Sequence, residues 1–163
     1  MSDLKWGLIG YGDLAEKRVA AALFAARSST LCGIWGRDIV KTRDFAARHN
    51  IEQAHKSFDD LLSSDIDAVY VCTPPDSHAE YALAALHAGK HVLVEKPMAI
   101  STIECEAMIE AARENKRILG VAYYRRAFPK MQKIKALIDE GTLGAPTWVN
   151  ICLLYTSPSP RDS

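Results

Sequence analysis

Lys96 lies in the short sequence Glu95-Lys96-Pro97, which follows an apolar run typical of a β-strand. A lysine ammonium beside a reacting oxygen can move a proton and can stabilise negative charge that develops on that oxygen. Interconversion of an alcohol and a ketone needs both while a hydride passes to or from a nicotinamide. A lysine at a strand end is most often a solvated surface charge. The adjoining Pro97, and the presence of other candidate loops at the ends of the other predicted strands, favour a functional role for Lys96. We predict that Lys96 is the catalytic residue.

A glycine-rich loop, residues 10–15, joins the first predicted strand to the first predicted helix. It matches the pattern G-x-G-x-x-G/A, in which the first glycine permits a tight turn and the second lets the backbone approach a pyrophosphate. The amides and the dipole of the following helix stabilise the phosphate charge. The loop is therefore predicted to bind a nicotinamide dinucleotide through Gly10, Tyr11, Gly12, Asp13 and Leu14.

The residues after the second predicted strand, Gly36-Arg37-Asp38, bear on the choice between NADP and NAD. An acid at this point binds the adenosine ribose of NAD, whereas an arginine accommodates the 2′-phosphate of NADP. With Gly36 in the place of the acid, Arg37 can bind a 2′-phosphate through a charge-assisted contact. Two alternatives stay open: Arg37 only stacks on the adenine, or Asp38 accepts the ribose hydroxyls. The sequence favours NADP over NAD, with Gly36 and Arg37 as cofactor-binding residues.

The loop after the fourth predicted strand, Thr73-Pro74-Pro75, is stiffened by two prolines and could form a wall beside the nicotinamide ribose. The alternative is a rigid turn, with the histidine that follows as an ordinary residue at a helix start. Further cofactor contacts are predicted from this loop, from the histidine after it and from the segment that contains Lys96. These residues are Thr73, Pro74, Pro75, His78, Glu95, Lys96 and Pro97.

The sequence Tyr123-Tyr124-Arg125-Arg126 follows the sixth predicted strand with two aromatic rings and two guanidinium groups. These groups can clamp a polyol or carboxylate substrate, or the cofactor amide. Aromatic and arginine residues equally mark an interface with a neighbouring domain. Arg126 is included among the predicted cofactor-binding residues.

The elements that must position these loops alternate between apolar β-type runs and amphipathic helical stretches, which predicts an α/β fold with a doubly wound parallel sheet. Ligands of such sheets bind outside the carboxyl ends of the strands, where all five loops lie. Ser101 and Glu104 form a predicted capping box. Strands are predicted at 5–9, 31–35, 53–55, 68–72, 91–95 and 118–122, and helices at 13–26, 40–49, 58–63, 78–88, 102–115 and 129–140.

Composition excludes several classes of function. The 163-residue chain carries 20 basic and 20 acidic side chains, so no charged field attracts nucleic acid or a membrane surface. No apolar run approaches the roughly 20 residues that span a bilayer, and the start lacks the pattern of a signal peptide. The 4 cysteines are far apart and the histidines show no ligand spacing, so no metal site is predicted. We expect a reducing, cytoplasmic compartment.

The last residues break the pattern. Residues 152–163 have no period and contain two Ser-Pro steps, which disfavour regular structure. From Cys152 to Asp162 they resemble a conceptual translation of a transposase adapter used in sequencing libraries. A natural Ser/Pro tail is the alternative. We expect residues 151–163 to be non-native and exclude them from the fold.

Four stretches together resemble the glucose–fructose oxidoreductase / inositol dehydrogenase (Gfo/Idh/MocA) family over about residues 5–150. The most specific is the run from Ala88-Gly89-Lys90-His91 to Glu95-Lys96-Pro97. The other stretches are Gly10-Tyr11-Gly12, Thr73-Pro74-Pro75-Asp76-Ser77-His78 and Tyr124-Arg125-Arg126.

The resemblance implies a Rossmann NAD(P)-binding domain at 1–122, and a linking helix with the start of a second α/β domain at 123–150. It implies oxidation or reduction of sugars, polyols or related carbonyl compounds with NADP or NAD by a homo-oligomeric parent protein. Lys96 matches the active-site lysine of the family, and Glu95 and Pro97 match the residues that position it. The second domain, missing here after its first strand at 147–150, usually adds a catalytic histidine, so the fragment alone is expected to be inactive.

Two rival interpretations stay open. A Rossmann fold also hosts nucleotide sensors or regulatory modules without chemistry of their own. A reductase acting on an imine or a tetrapyrrole is the other alternative, which only the second domain separates from sugar chemistry.

Overall fold

The computed structural model describes residues 3–150, which form two compact units, the first ending at Tyr123 and the second beginning at Tyr124. Each predicted element is present with ends within two residues of the predicted ones, with two exceptions: the helical segment at 13–25 is α-helix only in part, and the strand expected at 147–150 is not formed. The strands are β1 (Leu4–Ile9), β2 (Ser29–Trp35), β3 (Gln53–Ala54), β4 (Ala68–Val71), β5 (His91–Val94) and β6 (Leu119–Val121). The helices are α1 (Ala20–Ala25), α2 (Ile39–His49), α3 (Phe58–Ser63), α4 (His78–His87), α5 (Thr102–Glu114) and α6 (Pro129–Asp139).

All six strands of the first unit form one parallel sheet in the order β3-β2-β1-β4-β5-β6. This is the order of a doubly wound dinucleotide-binding sheet, and it reverses direction between β1 and β4. Five strands end at the same level: Ile9 pairs with Trp35 and with Val71, Val71 pairs with Val94, and Val94 pairs with Val121. We call this row of strand ends the carboxyl edge. The register therefore brings the loops that follow these strands to one side of the sheet.

The core lies on both faces of the sheet, because helices cover both faces of its central strands. In β4 every residue is buried, and successive side chains point to opposite faces. Val71 belongs to a cluster that includes Met108 of α5, whereas Tyr70 belongs to a cluster that includes Phe45 of α2. The central strand is thus fixed from both sides, which fixes the loop that follows it.

Side-chain caps determine where two of the helices begin. At α3, Ser57 Oγ accepts the Asp60 amide at 3.1 Å and the Asp60 carboxylate accepts the Ser57 amide at 3.2 Å, a capping box. The capping box predicted for α5 is only half formed. Ser101 Oγ accepts the Glu104 amide at 3.2 Å, but the Glu104 carboxylate accepts the Ile100 amide at 3.1 Å. The longer glutamate side chain reaches one residue further back than Asp60 does.

The helical segment after the glycine-rich loop is not a regular α-helix. It is helical from Asp13 and contains a π-helical turn at Ala15–Val19 before α1. The Ala20 amide donates to the Ala15 carbonyl, five residues back. Wide turns of this kind occur mostly at functional sites.

The second unit consists of a 3₁₀ turn at Tyr124–Ala127 and helix α6, which starts with Pro129 at its first position as predicted. The strand expected at 147–150 is not formed, because no other strand among residues 3–150 pairs with it. The expected non-native tail lies outside the described residues. Within residues 3–150, every helix is too short or too polar to traverse a lipid bilayer.

Candidate functional site

The glycine-rich loop, residues 10–15, starts at the centre of the carboxyl edge. Gly10 has a φ of +100°, and a Cβ atom there would stand 2.8 Å from the Cys72 carbonyl oxygen. Both its backbone conformation and its packing therefore require glycine. The Gly10 amide donates to the Trp35 carbonyl at 2.9 Å, which fixes the loop to the end of β2.

Gly12 differs from Gly10 in having no internal reason to be glycine. Its φ is not positive, it is exposed, and a Cβ atom built on it meets no atom of the described chain within 4 Å. Close approach of a group from outside the chain is the remaining reason for glycine here. The loop thus fits a pyrophosphate, which needs the backbone to come close at this second glycine.

The residues after β2 bear on the alternative in which Asp38 accepts the ribose hydroxyls. The Asp38 carboxylate caps α2, with its Oδ1 accepting the amides of Val40 at 2.9 Å and of Lys41 at 3.2 Å. Its Oδ1 is therefore used at the helix start, and the alternative in which Asp38 accepts the ribose hydroxyls stays open. Arg37 is exposed beside it, while Gly36 is buried.

Trp35 packs against the edge of the hydrophobic core, which is typical of a residue at a strand end and not of a residue that stacks on an adenine ring. Its ring centroid lies 5.2 Å from that of Phe58 and 5.4 Å from that of Tyr81, in tilted and edge-to-face arrangements. Burial raises the pKa of the Tyr81 phenol, and the nearby Arg37 charge acts in the opposite direction. The rings of Trp35, Phe58 and Tyr81 therefore pack together at the end of β2, next to the loop that carries Arg37.

The lysine loop, Glu95-Lys96-Pro97, is anchored by a buried carboxylate. Glu95 is 7% exposed; its Oε1 accepts the Tyr70 hydroxyl at 2.7 Å and its Oε2 accepts the Lys96 amide at 3.2 Å. The Lys96–Pro97 peptide bond is cis. The Lys96 side chain is exposed, and within residues 3–150 no carboxylate comes within 4 Å of its ammonium. The backbone of Lys96 is thus fixed at the carboxyl edge, while its side chain makes no ion pair within the described residues.

Two groups beside Glu95 stay protonated across the neutral range. Burial, and then the hydrogen bond to Glu95, raise the pKa of Tyr70 far above its usual range. Burial raises the pKa of Cys72 to about 12, and the charge of Glu95 adds to this. Tyr70 therefore remains a hydrogen-bond donor to the carboxylate. Sequence reasoning missed Tyr70, because nothing in the alternation of β4 distinguishes it from a core aromatic residue.

His78 is buried between two of the predicted loops. Its ring is 1% exposed, with Nδ1 at 2.8 Å from the Pro97 carbonyl oxygen and Nε2 at 2.9 Å from the Thr73 carbonyl oxygen. The cofactor contact predicted for His78 stays a prediction. The residue holds the proline-stiffened loop against the lysine loop.

The carboxyl edge brings together most, but not all, of the predicted residues. The loops after β1, β2, β4 and β5 start at the same level of the sheet, and the Ala122 amide continues the ladder from β6 by donating to the Val94 carbonyl at 2.9 Å. Arg125 and Arg126 lie in the 3₁₀ turn of the second unit and are exposed. The contact predicted for Arg126 stays a prediction.

A cavity of about 270 Å³ lies apart from these loops, lined by residues that include Lys5, Gln53, His55 and Asp65. None of the predicted site residues lines it. Between residues 3 and 150, no three His, Cys, Asp or Glu side chains come together as a metal site.

Comparison with known proteins identifies related chains. Residues 4–123 match the model of an oxidoreductase family with an NAD-binding Rossmann fold, Gfo/Idh/MocA. An oxidoreductase of Formosa agariphila is 39% identical over 144 residues, covering 88% of this chain and 45% of that protein. The 1,5-anhydro-D-fructose reductase of Ensifer adhaerens is 34% identical over 143 residues, covering 87% of this chain and 43% of that protein.

A solved structure is similar over the same region. The 3-ketoreductase KijD10 of Actinomadura kijaniata, crystallised with NADP and TDP-benzene, superposes with a TM-score of 0.79 at 32% identity. The match covers 86% of this chain and 43% of that protein. The chain thus spans less than half the length of these relatives.

Proposed function

Since the chain belongs to the Gfo/Idh/MocA oxidoreductase family, with its NAD-binding Rossmann fold, we propose that it is the cofactor-binding part of an NADP-preferring sugar or polyol oxidoreductase. One observation carries the proposal: five parallel strands end in register, with the glycine-rich loop at the point where the strand order reverses. Open α/β sheets bind their ligands at such a point. The nicotinamide supplies or accepts the hydride when it is bound.

Each loop of the carboxyl edge would contact a different part of the dinucleotide. Gly10, Tyr11, Gly12, Asp13 and Leu14 would hold the pyrophosphate, through backbone amides and the start of the helical segment. Thr73, Pro74 and Pro75 would form the wall beside the nicotinamide ribose. Glu95 and Pro97 shape the lysine loop, whose backbone would complete that side of the site.

NADP is the proposed cofactor because of the residues at the end of β2. Gly36 supplies no acid to repel a 2′-phosphate, the Asp38 carboxylate is used as the cap of α2, and Arg37 is exposed. A guanidinium binds phosphate through forked, charge-assisted hydrogen bonds. The relative KijD10 was crystallised with NADP, which supports the same preference.

Lys96 is the proposed proton-transferring residue. Lys96 follows β5 at the carboxyl edge, and the buried Glu95 and Tyr70 fix the backbone of its loop, which supports this role. There it can donate a proton to a carbonyl oxygen under reduction, or stabilise the alkoxide formed when an alcohol is oxidised. The similarity to a 1,5-anhydro-D-fructose reductase and to a 3-ketoreductase supports a sugar, polyol or related carbonyl substrate.

The remaining proposals concern the whole protein. We infer that residues 124–150 lead into a second α/β domain that provides the other substrate contacts and the surface of a homo-oligomer, since the chain covers less than half of its relatives. Cys32, Cys72 and Cys105 are free thiols, which supports a reducing, cytoplasmic compartment.

Cofactor binding is tested by titrating the 163-residue chain with NADPH and NADH by calorimetry, together with Gly12→Ala and Gly10→Ala. We expect saturable binding with NADPH tighter. Gly12→Ala should lose about tenfold or more in affinity while keeping wild-type stability, because the added methyl meets no protein atom. Gly10→Ala is the matched control, which should lose both affinity and stability. If Gly12→Ala keeps wild-type affinity for NADPH, the proposed binding of the pyrophosphate by the glycine-rich loop is wrong.

The role of Lys96 is tested in the protein that carries the second domain. Lys96→Ala should lower kcat by roughly 10²–10⁴-fold, the range for loss of a general acid or base, and leave NADPH affinity within a few-fold of wild type. Lys96→Arg keeps the charge but transfers protons poorly and is the matched control. Unchanged turnover in Lys96→Ala would contradict the catalytic role and favour a nucleotide sensor, which needs no such lysine.

A further inference from the structure

Gly36 and Tyr11 are in direct contact across the first two loops of the carboxyl edge. A Cβ atom at Gly36 would stand 2.2 Å from Tyr11 Cε1 and 2.4 Å from Tyr11 Cδ1, far inside any real contact distance. The φ of Gly36 is not positive, so its backbone would accept another residue. The ring of Tyr11 is therefore the reason that position 36 holds glycine.

The opposite side of Gly36 is rigid. The next atom that a Cβ would meet is Thr42 Oγ1, at 3.2 Å. Thr42 is fully buried, and its hydroxyl lies 2.7 Å from the Asp38 carbonyl oxygen and 3.3 Å from the Gly36 carbonyl oxygen. Because Thr42 is fixed in this way, any side chain added at position 36 must displace Tyr11.

Displacing Tyr11 has consequences for the glycine-rich loop. Tyr11 lies between Gly10 and Gly12, and its half-buried ring packs against the core cluster on the α1 and α2 face. A shift of this residue moves the backbone that is proposed to hold the pyrophosphate. A carboxylate at position 36 would thus disturb the binding of either cofactor before it could recognise a ribose.

We propose that Tyr11 is a specificity-determining residue: its ring keeps position 36 as glycine, excludes an acid from the ribose subsite, and leaves Arg37 as the recognition group for a 2′-phosphate. The proposal rests on the proposed dinucleotide function of the same loops. It predicts that an acid can replace Gly36 productively only when the ring of Tyr11 is removed.

The binding test compares the affinities of NADPH and NADH for Gly36→Asp alone, with Tyr11→Ala and with Tyr11→Phe. Gly36→Asp alone should weaken both cofactors by about tenfold or more. Adding Tyr11→Ala should restore NADH affinity by about tenfold, the worth of one good hydrogen bond to a carboxylate, while NADPH stays weak. Adding Tyr11→Phe should restore nothing, because the conflicting ring atoms remain.

Two binding results would overturn the proposal. One is a change of preference to NADH in Gly36→Asp alone, without loss of affinity. The other is equal rescue of NADH binding by Tyr11→Phe and Tyr11→Ala. If the wild-type chain binds neither cofactor, the proposed function fails, which is a separate result.

A second measurement tests the contact without any cofactor. Gly36→Ala adds only the Cβ, so its urea midpoint should fall in the wild-type background and should fall much less in the Tyr11→Ala background. Such coupling is expected for residues in direct contact and not for distant, independent sites. Equal shifts in the two backgrounds would overturn the proposal, whatever the cofactors do.

Discussion

The pair formed by Tyr70 and Glu95 connects the middle of the sheet to the lysine loop. Burial of a carboxylate is tolerated only when its oxygens are hydrogen-bonded, and here the Tyr70 hydroxyl and the Lys96 amide each bond one oxygen. Tyr70 lies on β4, whereas Glu95 follows β5, so the bond joins adjacent strands at the carboxyl edge. Tyr70 is thus a positioning residue for the loop of Lys96.

Loss of the Tyr70 hydroxyl should therefore be costly. Tyr70→Phe leaves one oxygen of a buried carboxylate without a partner, and we expect the free energy of unfolding to fall by about 1–3 kcal/mol. Urea unfolding measures this directly. Tyr123→Phe, which removes a hydroxyl from a half-exposed ring, is the control and should change little. An unchanged midpoint in Tyr70→Phe would show that the hydroxyl does not support the carboxylate.

The buried thiol of Cys72 should make stability decline at alkaline pH. Its pKa rises from 9.0 to about 12 on folding because of burial. A raised folded pKa gives stability that is complete below pH 9 and is lost as the pH rises toward 12, at up to about 1.4 kcal/mol per pH unit. Tyr70, whose pKa is also raised, acts in the same direction. We expect Cys72→Ala to flatten the decline between pH 9 and 11.

The measurement is the free energy of unfolding in urea at several values of pH. Val69→Ala, a truncation on the same strand, should lower stability but keep the alkaline slope of the wild type. An identical slope in Cys72→Ala and wild type would contradict the assignment of the thiol as a buried, protonated group.

At the scale of elements, His78 connects the start of α4 with the loop after β5. Its two ring nitrogens face the carbonyl oxygens of Thr73 and Pro97, so one buried side chain sets the separation of two loops proposed to contact the cofactor. The imidazole thus connects the two loops to each other.

Removing this link should loosen both loops. His78→Leu keeps an apolar volume but removes the ring nitrogens that face the Thr73 and Pro97 carbonyl oxygens, so at least one of these part-buried oxygens loses its donor. We expect a loss of about 1–3 kcal/mol in stability and weaker NADPH binding. His87→Leu, at an exposed position near the end of the same helix, is the control and should preserve both. Full NADPH affinity in His78→Leu would show that the loops are fixed by other contacts.

Periodicity and turn residues in the sequence were enough to predict the elements, because strands covered on both faces are apolar and because Gly and Ser mark helix ends. The loops of the site were predictable for the same reason, since they are defined by where strands end. The contacts of Tyr11 with Gly36, of Tyr70 with Glu95 and of His78 with Pro97 were not. Each depends on how neighbouring strands and loops are placed against one another, which local patterns do not encode.

On the scale of the whole molecule, the sheet register is the feature that turns separate motifs into one site. Strand ends at the same level gather the loops after β1, β2, β4 and β5, although these loops are separated by up to 85 residues in sequence, from Gly10 to Glu95. We therefore propose that a nicotinamide dinucleotide binds along the carboxyl edge.

Backbone amide chemical shifts of the 163-residue chain, followed by NMR during titration with NADPH, test that location most directly. We expect the largest changes in residues 10–15, 36–38, 73–77 and 95–97, with little change around Lys5, Gln53 and His55, which line the separate cavity. Changes concentrated around that cavity, or no saturable changes at all, would contradict the proposal.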